Sequence, residues 1–141
     1  GHLGGAVLVI PAISGGVCGR GGAAARRRGS AVHDEIFNEG GKFVRKTNNA
    51  GGIEGGMTNG GEIILRAAMK PIPTLMRGLN TVNFDTGEAC RAATERSDVC
   101  SICACEIIVE STVCFALAQK VQERLGGDNM REIKARYALL P

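Results

Sequence analysis

The residue pattern predicts an α+β fold with strands first and helices last. Three observations predict it. Strand-length runs separated by Gly, Pro and Asn-Gly punctuation extend as far as Gly87. A longer stretch nearer the C-terminal end carries apolar residues at helical spacing. A Gly-Gly pair and an Asn three residues before a Glu then mark the stop of one helix and the start of another.

Taken in order, Ala6 to Ile10 is a short apolar run, a strand or the buried end of a helix, closed by Pro11. Gly15-Gly16, Gly19 and Gly21-Gly22 then predict loop, and Arg26-Arg27-Arg28 reads as a solvated face. Residues 1–41 are therefore expected to be irregular, with the core strands and helices in 42–141. Lys42 to Lys46 is a short strand. From Thr47 to Gly61, two Gly pairs four residues apart argue against a helix, because each Gly costs ~1 kcal/mol there. That stretch reads as hairpins with a turn at Asn59-Gly60. Glu62 to Lys70 is a strand with Ile63, Leu65 and Ala67 on one face, ended by Pro71 and Pro73. Asn80 to Phe84 is another, turned at Asp85-Thr86-Gly87. Ile107, Cys114, Ala118, Val121 and Leu125 form a core-facing stripe on the long helix. Gly126-Gly127 stops it, and Asn129 with Glu132 caps a second helix from Met130 to about Leu139.

The 141 residues suit one domain. Hydrophobic residues at 44% are ordinary, but aromatics are only 4% and Trp is absent, so the core must be aliphatic. A net charge of +3 is too mild to point to nucleic acid. Ala6 to Ile13 is too short and wrongly flanked for a signal peptide. No uninterrupted apolar run of about 18 residues stands out, so no membrane span is expected. Six cysteines without a secretory signal read as reduced thiols of a cytoplasmic protein.

Several ordered motifs carry a more specific signal. Asn48-Asn49-Ala50-Gly51-Gly52-Ile53-Glu54-Gly55-Gly56-Met57-Thr58-Asn59-Gly60 is followed by Lys70-Pro71-Ile72-Pro73-Thr74, then by Glu95-Arg96-Ser97-Asp98-Val99-Cys100, then by Gly126-Gly127-Asp128. Upstream stand Ile10-Pro11-Ala12-Ile13 and Gly29-Ser30-Ala31-Val32-His33-Asp34-Glu35. Together they resemble the chorismate synthase family, over nearly the whole chain. Members of that family run well over twice this length, and the resemblance is to their C-terminal part. It implies a part of a β-α-β sandwich lacking the family's two acid–base histidines and its Arg-Ser-Ser-Ala flavin motif. Neither His2 nor His33 matches a catalytic histidine. The stretch after Ser14 is Gly-rich and departs from the family pattern, as do Cys103 and Cys105.

The resemblance implies a lyase of the shikimate pathway, on the route to the aromatic amino acids. It would eliminate phosphate from 5-enolpyruvylshikimate 3-phosphate to give chorismate, with reduced FMN. It also implies a cytoplasmic homotetramer at full length, with no nucleic-acid or membrane partner. Substrate and cofactor both carry phosphate, so the site needs fixed cations and close backbone in a dry pocket. By motif match Ala12, Ile13, Gly56, Lys70, Pro71, Ile72, Pro73, Thr74 and Arg96 fall at the family's flavin contacts, and Asp98 at the position that handles a proton near flavin N5. Lys70 and Arg96 would supply charge, Gly56 close approach, and Asp98 a general base. Without the acid–base histidines, the chain alone is expected to be inactive.

Two other readings remain open at this point. The chain could be a non-catalytic assembly fragment whose surface other parts of the protein cover. Cys100, Cys103 and Cys105, with Cys114 or Cys90, could bind zinc, although one Cys-x-x-Cys element is weak evidence for it. No metal ligand is assigned.

Overall fold

A computed structural model of the chain describes residues 1–96 and 99–140. Helix α1 spans His2–Leu8, and strand β1 spans Ile13–Cys18. Two 3-10 turns follow at Gly21–Arg26 and Gly29–Ala31. Strands β2 (Ile36–Glu39), β3 (Lys42–Arg45), β4 (Ile53–Glu54) and β5 (Met57–Thr58) come next. After β6 (Leu65–Met69), β7 (Asn80–Val82) and β8 (Ala89–Arg91) come helices α2 (Ile102–Leu125) and α3 (Met130–Tyr137). Among the described residues the strands pair as four antiparallel ribbons: β1 with β6, β2 with β3, β4 with β5 and β7 with β8.

The α+β class and the order of the later elements match the sequence reading. The N-terminal third does not. Residues 1–41 carry α1, β1 and β2, so a helix precedes the strands. The Gly-rich stretch after Ile13 becomes extended because β6 supplies a ladder partner, Gly15 opposite Ala68 and Cys18 opposite Leu65. Backbone pairing to a distant strand decides its conformation, which side-chain periodicity does not report. Strand β6 is shorter than expected. Glu62 to Ile64 drop out because their backbone groups serve elsewhere: Glu62 O accepts from Asn48 Nδ2, and Ile64 N donates to Gly51 O.

The core is small and sits where α1, β1 and α2 meet. Val7, Ile10, Ile13 and Cys105 are its buried members, with Met69, Val109 and Val113 packed against them. This corrects the helix stripe. On α2 the buried residues are Cys105, Ala116 and Leu125, whereas Cys114 is exposed and Ile107 is 59% exposed. Helix α2 carries apolar residues on every side, so periodicity cannot select its inner face; docking of α1 does. The same helix is long and apolar enough by composition to cross a membrane, contrary to the reading that no such segment exists. Length and composition alone are weak grounds for a span, since core helices of soluble proteins share them.

Helix ends follow local rules. Gly126 closes α2 at φ 62°, a conformation that a side chain disfavours. Asn129 Oδ1 accepts from Glu132 N at 3.1 Å, and its Nδ2 donates to Glu132 Oε1 at 2.8 Å, the reciprocal bond that caps α3.

Candidate functional site

The segment Asn48–Gly61 divides into two halves with different physical roles. Its first half is a packed hub. Gly51 and Gly52 are buried, and a Cβ on Gly52 would lie 2.5 Å from Glu62 O at a φ of +76°. No other residue fits there without moving backbone. Asn48 Oδ1 accepts from Gly52 N at 2.8 Å, and Arg20 Nε donates to Asn49 Oδ1. Asp34 reaches in from the chain before β2. Its Oδ1 accepts from Thr47 Oγ1 at 2.6 Å and Asn49 N at 2.8 Å, and its Oδ2 from Ala50 N at 2.9 Å. Burial pushes the Asp34 carboxyl up. The Thr47 hydroxyl, the Ala50 and Asn49 N–H groups and nearby Arg45 outweigh that and hold it below its ordinary range.

The second half is the β4–β5 hairpin with Gly55-Gly56 at its tip. Both glycines are exposed with positive φ, and a Cβ on either would meet nothing within 4 Å. Gly56 is thus required by the turn, and the space above it is open to an approaching group. It borders a cleft of about 560 Å³ formed with α1, β1, β6 and α2, lined by Val7, Val17, Leu65 and Leu117 among others.

The segment Lys70–Thr74 leaves the end of β6. Lys70 N donates to Ala12 O at 2.9 Å, so the structure does bring Ala12 and Lys70 together. Ile13 pairs with Met69 and packs in the core, and with Met69 and Ile102 it lines a further cleft of about 490 Å³, apart from the one that Lys70 borders. Lys70, Pro71, Ile72 and Thr74 line a second cleft of about 420 Å³, closed on the other side by Val99, Cys100 and Ile102 at the start of α2. Pro73 faces a neighbouring cleft toward Leu79 and Ala92. Arg96 is exposed and lines neither the Gly56 cleft nor the Lys70 cleft. Lys70 and Arg96 have no ion-pair partner among the described residues. Asp98, the expected proton carrier, lies outside the described residues.

These residues fit one wall of a flavin site in kind. The second cleft offers an apolar lining from Ile72, Leu75 and Met76 for a ring system, and the Lys70 ammonium for an anionic group. Gly56 borders the other cleft, so the predicted contacts are divided between two surfaces. The cysteine cluster is split as well. Cys105 is buried in the core while Cys100 and Cys103 are exposed, and no set of three or more metal-ligating side chains comes together among the described residues.

What sequence reasoning missed is the hub. Asp34, Asn48 and Asn49 stand inside the motifs, yet no role was assigned to any of them. A carboxylate in front of a Thr-Asn-Asn run was the available signal, since Asp commonly accepts from turn N–H groups.

Comparison with known proteins gives a consistent answer. The profile of the chorismate synthase family matches residues 1–122. The chain is 54% identical over 134 residues to the chorismate synthase of Syntrophotalea carbinolica, covering 95% of this chain and 35% of that protein. It is 50% identical over 134 residues to the chorismate synthase of Mycolicibacterium vanbaalenii, covering 95% and 33%. A chorismate synthase crystal structure superposes with a TM-score of 0.71 at 38% identity, over 97% of this chain and 34% of that one. The chain spans about a third of the length of the curated relatives it matches. On the extent of the profile match and the order of its motifs, the chain belongs to the chorismate synthase family.

Proposed function

We propose that these residues supply one wall of the active site of a chorismate synthase. The full-length protein would eliminate phosphate from 5-enolpyruvylshikimate 3-phosphate to give chorismate, using reduced FMN. The observation that carries this reading is Lys70, without an ion-pair partner among the described residues, at the rim of an apolar cleft and on the segment that resembles the family's flavin motif. Reduced FMN, when bound, supplies electron density while phosphate leaves. The chain's own residues bind, orient and manage protons. Lys70 and Arg96 neutralise anionic groups, Pro71 and Pro73 stiffen the segment that presents Ile72 and Thr74, and the Asp98 carboxylate accepts or returns a proton. Ala12 and Ile13 contribute through backbone, and Gly56 through its bare turn.

The same reading makes residues 1–141 part of a larger domain, with the exposed apolar face of α2 covered by protein rather than lipid. The full-length protein is a cytoplasmic homotetramer with no nucleic-acid or membrane partner. Isolated, the chain is a non-catalytic fragment. That second statement is favoured by its large exposed apolar surface, including Phe115 and Val121 on α2.

Two substitutions in the full-length protein test the site. Asp98→Asn keeps size and most hydrogen bonding, so flavin affinity should survive while the rate falls about 10²-fold or more. Arg96→Ala removes a charge that holds an anion in the ground state, so the Kd for FMN or the KM for substrate should rise. A normal rate in Asp98→Asn would return that carboxylate to a structural role.

A further inference from the structure

The Gly56 hairpin rests on a hydrogen-bonded base rather than on a core. Strands β4 and β5 are two residues each, too short to hold themselves. Gly52 O accepts from Asn59 N at 3.0 Å and closes the hairpin base. Gly52 is itself held by the Asn48 side chain, and that turn hangs on Asp34. Among the described residues, Asn49 N and Ala50 N donate to Asp34 alone. Arg45, close enough to lower the Asp34 carboxyl, also pairs with Glu54 at 2.8 Å, and Glu54 accepts from Asn59 Nδ2. The turn is also held through its carbonyls and side chains by Arg20, Cys18 and Ile64, but the Asp34 carboxylate is what takes up its Asn49 and Ala50 N–H groups.

We propose that Asp34 is a positioning residue for the cofactor site: its carboxylate fixes the Asn48–Gly52 turn and through it the place of Gly56. The inference rests on the flavin reading above. An ionised carboxylate accepts on both oxygens, which suits three donors arriving from one side. An amide keeps the shape but turns an NH2 group toward at least one of those donors, leaving it unpaired.

The test uses the full-length protein, with FMN titrated by the change in flavin absorbance, kcat and substrate KM measured at saturating FMN, and thermal midpoints of the apoprotein. Asp34→Asn should raise the Kd for FMN about 10-fold, the equivalent of a broken charge-assisted bond. Its kcat at saturating FMN should stay within about two-fold of the unmodified protein, because no reacting atom is touched. Thr47→Val removes one donor and should raise the Kd about two- to three-fold. Lys70→Ala serves as the reference for the flavin site itself. If Lys70→Ala weakens FMN while Asp34→Asn and Thr47→Val bind it normally, Asp34 is structural only and the proposal fails, even if its thermal midpoint drops. If Asp34→Asn does not fold, a normal Kd in Thr47→Val is enough to overturn it. If Lys70→Ala binds FMN normally, the flavin reading falls, and this proposal with it.

Discussion

Asp34 also sets a pH dependence that can be worked out from its surroundings. Its folded carboxyl titrates below the ordinary value of 3.8. A lowered acid contributes stability that is fully present above the unfolded value and is lost as pH falls through the folded one. The urea midpoint of the full-length protein should therefore decline below about pH 4, and Asp34→Asn should flatten that decline. Equal slopes for the two proteins would mean that the hydrogen bonds to Thr47, Asn49 and Ala50 do not favour the ionised form. Glu123 is also held low, by the Lys120 ammonium that donates to it. That pair is solvent-exposed, so it should contribute little. The Lys70–Thr74 segment stands out in the sequence because a short motif carries it. The role of Asp34 was not, because its partners lie 13 to 16 residues away and only folding brings them within reach.

Elements differ in how much of their stability is local. The α3 cap is local: Asn129 and Glu132 satisfy each other within one turn. Asn129→Ala should cost about 1 kcal/mol. The Gly52 position is tertiary: a Cβ there meets Glu62 O, and φ is +76°. Gly52→Ala should be far more damaging than the cap mutant, with the strain added to a backbone clash. Thermal midpoints of the two variants in the full-length protein check this, and a smaller shift for Gly52→Ala would sink the hub description. The same distinction explains the errors in reading elements. The α3 cap and the Gly126 stop were legible because neighbours decide them. The inner face of α2 and the extended state of β1 were not, because α1 and β6 decide them.

At the scale of the whole molecule, area is the informative quantity. The chain exposes 11221 Å². A self-contained globule of 14.7 kDa would expose about 6,900 Å² by the usual surface scaling. The excess goes with large apolar side chains in water, such as Phe84 at 97% exposed and Phe115 at 67%. Such surface normally marks contact with other protein. The isolated chain should therefore bind FMN weakly and in a salt-sensitive manner, because its cations are open to solvent. It should show no chorismate formation with reduced FMN under anaerobic conditions. Adding a separately produced polypeptide carrying the rest of a full-length relative should restore activity. Turnover by the chain alone, or a tight FMN complex indifferent to salt, would contradict this.

Local pattern was enough for the α+β class, the two C-terminal helices with their stops and caps, and the family, since these rest on neighbouring residues or on the order of short motifs. Tertiary structure alone decided which side of α2 is buried, that a Gly-rich stretch becomes β1, and that Asp34 holds the Asn48–Gly52 turn. Those outcomes depend on partners far along the chain: β6 for β1, α1 for α2, and the Thr47 hydroxyl with the Asn49 and Ala50 N–H groups for Asp34. An apolar helix has no preferred face and a glycine strand no pattern of its own, so packing and backbone pairing made the choice.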